Sequence, residues 1–298
     1  MVRVIDAFLQ DCKIRGRTKR SLESYKSVVK EFLYHYPQPE KVDKRDLRDY
    51  LEHLQGRDLH IATLKTYFSA LSAFYDFLIY EEKAQVNPIL PFRQRYLDQP
   101  TKHDYRQIPE LKDVRDLLAG MDQINHIAPI VTLAKTGARF GEYFRMEPEH
   151  IDFKRETITL PEAAKRNNRV IPMDSELQAV LEVYLEWRRG HRRTNYLWVS
   201  EVGGHIHKDW TNEIIAYYAG PLDLHEPGGP LEKRLTCHCF RGFFTTELRK
   251  AGIRDEYLQK LRGDSLKKET WKEHYLSKGY MGFDNIREEY LRCMPELL

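Results

Sequence analysis

The sequence predicts a mainly helical protein of two domains, with a small β-sheet or hairpin in the second domain. Apolar residues recur at helical spacing through the first ninety positions, a proline-rich polar stretch follows, and a segment near residue 158 alternates with a period of two. The length of 298 residues also exceeds what one hydrophobic core usually serves. We therefore expect a helical bundle over residues 1–90, a linker over 91–108 and an α+β domain over 109–298.

The helices of the first domain have recognisable start and stop signals. A short helix is predicted over residues 4–9, and a second over 22–36 ends where Pro37 interrupts the apolar pattern. Asp43 is the predicted N-cap of a third helix. A fourth begins near residue 61 and is closed by Asn87-Pro88, because a residue before proline avoids the helical conformation. These four helices make up the predicted bundle.

The second domain resumes the helical pattern and then interrupts it once. Helical periodicity returns at Leu111, whereas Ile158 and Leu160 alternate with threonines as in a half-buried strand. A second short strand over residues 169–171 follows a polar turn over 165–168. The sequence therefore predicts a β-hairpin within a helical domain.

Composition excludes several classes of protein. Apolar residues make up 41% and charged residues 31%, which is typical of a globular chain. No apolar run approaches the roughly 18 residues that a membrane span needs, and Asp6 and Asp11 interrupt the N-terminal apolar stretch, which argues against a secretory signal. Four scattered cysteines favour a reducing compartment. We expect a cytoplasmic protein with no membrane partner.

Positive charge is concentrated near the N-terminus. Residues 13–30 contain seven basic residues and one acid, whereas the whole chain has a net charge of only +3. Such a concentration at a helix entrance suits a phosphate backbone, and a solvated helix start is the alternative explanation. The candidate DNA-binding residues, here called the N-terminal basic cluster, are Arg15, Arg17, Lys19 and Arg20.

Common nucleotide and metal motifs are absent from the sequence. It contains no Walker A or Rossmann glycine pattern, no H-E-x-x-H and no C-x-x-C. A metal site can be imagined, but its residues do not have the usual zinc spacing; they are His205, His207, Cys237, His238 and Cys239. We therefore expect neither a metal nor a cofactor.

Four segments of the second domain form an ordered set. They are TGARFGEYFRMEPEHIDF, ITLPEAAKRNNRVIPM, HCFRGFFTTEL and LQKLRGDSLKKETWKEHYL. In these segments the sequence resembles the tyrosine recombinase, or phage integrase, family, whose pattern is T-G-x-R-x-x-E, a hairpin lysine before R-x-x-P, H-x-x-R, G-H and a nucleophilic tyrosine. The matching residues, in order, are Arg139, Lys165, His238, Arg241 and Tyr275.

The sequence departs from the family pattern at three points. Gly263 is followed by Asp264 where the pattern has histidine, and a carboxylate there repels phosphate at neutral pH unless it orients an arginine or caps a helix. Asp264 is therefore a possible sixth site residue. The spacing from Asp264 to Tyr275 is slightly long, which makes Tyr280 a second candidate nucleophile. Lys165 stands one residue nearer to Arg169 than the pattern has, which makes the adjacent Arg166 a conceivable substitute.

The resemblance implies a specific chemistry. Two arginines, Arg139 and Arg241, would grip the phosphate oxygens, and Tyr275 would attack phosphorus to give a 3′-phosphotyrosyl bond and a free 5′-hydroxyl. His238 would accept a proton or donate to the phosphate, and Lys165 would protonate the leaving 5′-oxygen. Because the covalent bond conserves the energy of the phosphodiester, the reaction needs neither ATP nor metal.

The resemblance implies an enzyme, a site-specific recombinase or integrase that acts on double-stranded DNA and assembles on paired sites. Two alternatives remain open from sequence: a type IB topoisomerase-like relaxing enzyme and a catalytically decayed DNA-binding protein. The last helix, predicted from an apolar stripe that includes Ile286 and Tyr290, is expected to pack on a neighbouring protomer, with packing on its own domain as the alternative.

Overall fold

A computed structural model describes most of the chain as two compact units, Met1–His103 and Asp104–Leu298. None of the helices in the described part of the chain combines the length and apolar character needed to cross a membrane. The described residues are 2–98, 105–161, 169–264 and 282–298.

The first unit is built from helices around an aromatic core. Thr18 caps the second helix by accepting from the Ser21 amide at 3.3 Å, and Asp43 and Asp46 form a reciprocal capping box on the third. The predicted helical bundle and the Asp43 cap are confirmed. The helices are α1 Val2–Ile14, α2 Lys19–His35, α3 Lys44–Gln55, α4 Ile61–Tyr80 and α5 Ile89–Tyr96.

Helix α5 corrects the predicted start of the linker at residue 91. Ile89 and Phe92 are buried in the core of the first unit, and the Phe92 ring stacks on Phe68 with ring centroids 5.3 Å apart. Pro88 and Pro91 suggested a break in structure, but they stand at the N-cap and in the first turn of α5. Proline costs no hydrogen bond there, because the amides of a first turn have no partner within the helix.

The second unit contains the predicted small sheet, which is confirmed and has one more strand than the sequence indicated. Strands β1 (Ile151–Asp152), β2 (Thr157–Leu160) and β3 (Arg169–Pro172) pair antiparallel in that order, and Ile158 lies opposite Ile171. The α-helices formed by the described residues of this unit are α6 Leu111–Ala119, α7 Ile124–Thr136, α8 Phe140–Tyr143, α9 Ser175–His191, α10 Trp210–Ala219, α11 Cys237–Lys250, α12 Asp255–Arg262 and α13 Phe283–Cys293.

Helix α7 is the central element of the second unit. It packs against α9 and α11, and every residue from Ala128 to Thr136 is buried. Because its later turns are buried on all sides, α7 ends inside the domain, where Gly137 closes it in the left-handed conformation at φ 55°. The C-terminal end of α7 is thereby held where the candidate site forms.

The C-terminal helix α13 packs on its own domain, which corrects the expectation that it packs on a neighbouring protomer. Ile286 and Tyr290 are buried in the core of the second unit, and the Tyr290 hydroxyl donates to the Lys135 carbonyl at 2.9 Å. Beyond the helix, the Leu297 amide donates to the Glu176 carboxylate at 2.8 Å. The apolar stripe read from the sequence is therefore covered within one chain.

Candidate active site

Two helix ends present carbonyl oxygens to three arginine side chains. Arg241 donates to the Gly137 carbonyl after α7 at 2.7 Å and to the Arg262 carbonyl at the end of α12 at 2.8 Å. Arg139 reaches the Arg262 carbonyl at 3.3 Å, and Arg169 donates to both carbonyls. Helix C-termini carry partial negative charge, so they hold guanidinium groups favourably. We call Arg139, Arg169 and Arg241, together with their carboxylate partners Glu142 and Asp264, the arginine site.

Glycine is required at both helix ends that hold the arginines. Gly137 and Gly263 have φ of 55° and 61°, where a side chain is strained. A Cβ atom at Gly137 would lie 2.6 Å from the Phe244 ring, and one at Gly263 would lie 2.9 Å from Arg169. Glycine at 263 therefore lets the Arg169 side chain approach the backbone, and glycine at 137 leaves room for the Phe244 ring.

Glu142 is the first carboxylate of the arginine site. It is only 4% exposed and lies between Arg139 and Arg169, with an N–O distance of 3.1 Å to the first and 2.8 Å to the second. It also accepts from the Arg139 main-chain amide at 2.8 Å, which caps α8. Neither Glu142 nor Arg169 was predicted as a site residue from the sequence, although both lie in the motifs that carry the resemblance.

Asp264 is the second carboxylate and joins the two arginines predicted to grip phosphate. Its Oδ1 atom accepts from Arg139 Nη2 at 2.8 Å and from Arg241 Nη2 at 3.0 Å. Its Oδ2 atom lies 3.0 Å from Arg262 Nε. Two guanidinium groups that approach from separate helices therefore converge on a single oxygen atom.

The arginine site is crowded with positive charge. Burial, together with the neighbouring charges of Arg139 and Arg169, lowers the pKa of Arg241 to about 10, so the group remains protonated at neutral pH. Among the described residues, and counting Arg262, four guanidinium groups face two carboxylates. The surplus of positive charge, and the fork geometry of arginine, suit an oxyanion such as phosphate.

His238 stands beside this site in the first turn of α11, one turn before Arg241. Its side chain is exposed. Partial loss of solvent around the ring lowers the pKa of His238, and the positive charges of Arg106 and Arg241 act in the same direction. The imidazole is therefore neutral at pH 7. Arg106 is a further basic residue at this edge that the sequence analysis did not single out.

The remaining predicted site residues lie outside the described part of the chain. Residues 162–168 include Lys165 and its substitute Arg166, and residues 265–281 include both candidate nucleophiles, Tyr275 and Tyr280. The structure thus brings Arg139, His238, Arg241 and Asp264 to one place. The lysine and the nucleophile stay predictions.

The N-terminal basic cluster lies in the first unit, at the turn between α1 and α2. Arg15 forms an exposed ion pair with Asp11 at 3.3 Å, whereas the other three members are exposed and make no ion pair within the described residues. Lys19 and Arg20 occupy the first turn of α2, where the helix dipole disfavours cations. This arrangement costs free energy in the isolated protein, and an anionic partner would offset the cost.

Three of the five residues that suggested a metal site are buried or make other contacts. The His205 ring contacts the Phe144 carbonyl at 2.9 Å and stacks on Tyr196. Cys237 and Cys239 are buried, and burial raises the pKa of Cys237 to about 12. Within the described ranges, no group of three His, Cys, Asp or Glu side chains is placed to hold a metal ion.

The fold and site define a two-domain, mainly helical protein with an arginine-lined oxyanion site. The family model described as the N-terminal SAM-like domain of phage integrases matches residues 4–84, and the model of the phage integrase family matches residues 105–279. The chain therefore belongs to the phage integrase family, the tyrosine recombinases.

Individual proteins with the same family name are also similar to this chain. Tyrosine recombinase XerC of Bacillus licheniformis is 26% identical over 264 residues, which is 86% of this chain and 82% of the relative. Tyrosine recombinase XerA of Pyrococcus furiosus is 24% identical over 264 residues, covering 87% and 85%.

Solved structures share the fold. A λ integrase fragment, solved as a dimer bound to a COC′ core site, superposes with a TM-score of 0.72 at 15% identity, covering 91% of this chain and 97% of that one. The Tn1549 transposon integrase, solved with transposon right end DNA, gives a TM-score of 0.71 at 20% identity, covering 97% and 98%. At these identities the likeness shows the fold alone.

Proposed function

We propose that this site-specific recombinase cleaves and rejoins double-stranded DNA at the arginine site, through a 3′-phosphotyrosyl intermediate formed by Tyr275. One observation carries the proposal: Arg139 and Arg241 converge on a single oxygen of an oxyanion, Asp264 Oδ1. Guanidinium groups are planar, charged at neutral pH and carry several donors, so they match a phosphodiester better than lysines would.

Each step of the proposed reaction has a candidate residue. Arg139 and Arg241 bind the two nonbridging oxygens and stabilise the charge that redistributes in the transition state. The Tyr275 hydroxyl loses its proton to His238, and its oxygen forms a bond to phosphorus. The bond from phosphorus to the 5′-oxygen breaks, and Lys165 protonates that oxygen. Attack by a 5′-hydroxyl reverses these steps and reseals the strand.

Two further features support the choice of partner. The λ integrase fragment that shares the fold was solved as a dimer on a core site. In the N-terminal basic cluster, Arg17, Lys19 and Arg20 are exposed and make no ion pair within the described residues, so their charge suits a DNA backbone. We therefore propose assembly on paired duplex sites. The proposal also places the protein in the cytoplasm, with its DNA.

Covalent capture tests the proposal directly. The full chain is incubated, with EDTA and without ATP, with a pool of nicked duplexes of randomised sequence, and protein–DNA adducts stable to SDS are recovered and mapped. We expect an adduct on one tyrosine and an enriched DNA sequence. A protein that binds these duplexes but gives no adduct is a DNA-binding protein instead. The enriched sequence is then placed once or twice in a supercoiled plasmid. Relaxation needs one site, whereas recombination needs two, so the two plasmids distinguish these activities.

Neutralising Arg17, Lys19 and Arg20 to Gln is expected to weaken binding to all duplexes alike. Each lost phosphate contact reduces the magnitude of the slope of log affinity against log salt concentration by about 0.9. The slope of the triple variant should therefore be smaller in magnitude by up to about 2.7. Fluorescence anisotropy at several salt concentrations measures this slope. Lys83→Gln, which removes an exposed lysine paired with Glu81 in the same unit, serves as the control and should change little. An unchanged triple variant would mean that the cluster is only a solvated helix start.

Adduct formation is expected to depend on the protonation of His238. Since the pKa of His238 lies below its ordinary value of 6.5, the neutral acceptor predominates at pH 7 and is lost as the pH falls through that lowered pKa. The pH dependence of the second-order rate constant for adduct formation reports the pKa values of the free enzyme. This rate constant should therefore rise with pH to an inflection below 6.5 and then level off.

His238→Gln should remove this inflection. His207→Gln, at an exposed histidine beside Glu213, is the control and should retain it. A rate that falls as the pH rises through the same range would instead show that the protonated imidazole donates to the phosphate.

A further inference from the structure

Asp264 stands where the family pattern has histidine, and its position in the arginine site has a consequence for DNA binding. We propose that the Asp264 carboxylate occupies the place of a nonbridging oxygen of the scissile phosphate, so that DNA must displace it before cleavage. The inference rests on the proposed function, because it assigns the phosphate to Arg139 and Arg241.

The geometry places an oxyanion at the point where the phosphate would bind. Asp264 Oδ1 lies 2.8 Å from Arg139 Nη2 and 3.0 Å from Arg241 Nη2. Carboxylate and phosphate oxygens satisfy the same guanidinium donors at the same distances. A phosphate that takes both Nη2 groups therefore competes with Asp264 for those hydrogen bonds, and its negative charge also repels the carboxylate.

The arginines do not need Asp264 to hold their positions. Arg241 is anchored by the carbonyls of Gly137 and Arg262 at 2.7 and 2.8 Å. Arg139 is anchored by Glu142 at 3.1 Å. Because these anchors come from the backbone and from a buried acid, they persist when Asp264 moves. Asp264 therefore fills the space between the two arginines, and it is not needed to hold them in position.

A displaced Asp264 side chain has another partner close by. Its Oδ2 atom already lies 3.0 Å from Arg262 Nε, and the side chains of Asp264 and Arg262 are 35% and 30% exposed. Rotation of the carboxylate toward Arg262 and solvent would release both Nη2 groups while keeping one ion pair. In the protein without DNA, the Asp264 carboxylate thus fills the phosphate position. When DNA enters, the carboxylate keeps its ion pair with Arg262.

Asp264→Asn tests the inference because it keeps the shape of the side chain and removes its charge. Two quantities are measured on the full chain: the affinity for inorganic phosphate, by calorimetric titration, and the adduct rate with limiting nicked duplex. We expect both to rise severalfold, because the substitution removes a like charge beside a partly exposed anion site. Asp255→Asn, which makes the same change at the other end of α12, should alter neither.

A fall in both quantities, or no change in either, would overturn the inference, since a supporting role predicts a loss. Asp264→His, which restores the residue of the family pattern, provides a second variant if Asp264→Asn unfolds, and it should also exceed the original chain in adduct rate. The two proposals fail separately. Absence of an adduct in every variant would count against the recombinase chemistry, while the phosphate affinities would still decide the role of Asp264.

Discussion

Tyr275→Phe is expected to abolish the covalent protein–DNA adduct while leaving the affinity for duplex DNA within a few-fold. The substitution keeps the aromatic ring and removes only the hydroxyl oxygen that would bond to phosphorus, so binding by the arginine site and the N-terminal basic cluster is retained. Electrophoresis in SDS measures the adduct, and anisotropy measures the affinity on the same captured duplex.

Tyr280→Phe is the matched control for the nucleophile, because it makes the same change five residues away. This variant should form the adduct at close to the original rate. If the two variants behave in the opposite way, Tyr280 is the nucleophile, and if both still form the adduct, another side chain carries the covalent step. Peptide mapping of the adduct then identifies the residue.

Lys135→Met is expected to cause the largest loss of stability among the substitutions considered. Lys135 is fully buried, and its ammonium group binds the carboxylates of Asp174 and Glu176 and the Pro295 carbonyl. The substitution removes the cation and leaves two largely buried carboxylates without it, which typically costs about 3–5 kcal/mol of the free energy of unfolding. The same group joins α7, the start of α9 and the C-terminal tail, so the tail should also become sensitive to protease.

Arg189→Met is the control, because Arg189 pairs with Glu186 at the surface and the two side chains are 73% and 70% exposed. An exposed pair of this kind contributes about 1 kcal/mol or less. Urea unfolding of both variants, followed by limited proteolysis, measures the difference. A loss below about 1 kcal/mol for Lys135→Met would show that the buried cluster does not hold the C-terminal tail.

The sequence predicted those parts of the fold that depend on neighbouring residues. Helical spacing identified α2 to α4 and the C-terminal helix, and the alternation around Ile158 identified the sheet. The beginning of the linker was wrong because Pro88 and Pro91 suggest a break unless their places in the first turn of α5 are known. Burial of Phe92 against Phe68 decided that segment, and no local pattern reports such a contact.

The candidate site was predicted only in part. The order of the motifs was sufficient to select Arg139, His238 and Arg241, because each motif carries its own residue types. Glu142 caps α8 by accepting from the Arg139 amide, and this role depends only on a spacing of three residues, which is visible in the sequence. By contrast, the ion pair between Glu142 and Arg169 joins residues from two motifs, so no single motif reveals it.

The sequence by itself determined the family, the helical and strand segments and the residue types of the site, because periodicity and motifs are properties of nearby residues. Only the tertiary structure decided which groups meet. The carbonyl of Arg262 and the carboxylate of Asp264 reach Arg139 from more than 120 positions away in the chain, and α13 covers its apolar stripe on its own domain. An amphipathic stripe or a charged side chain specifies what kind of partner it needs, whereas packing of the whole chain selects the partner.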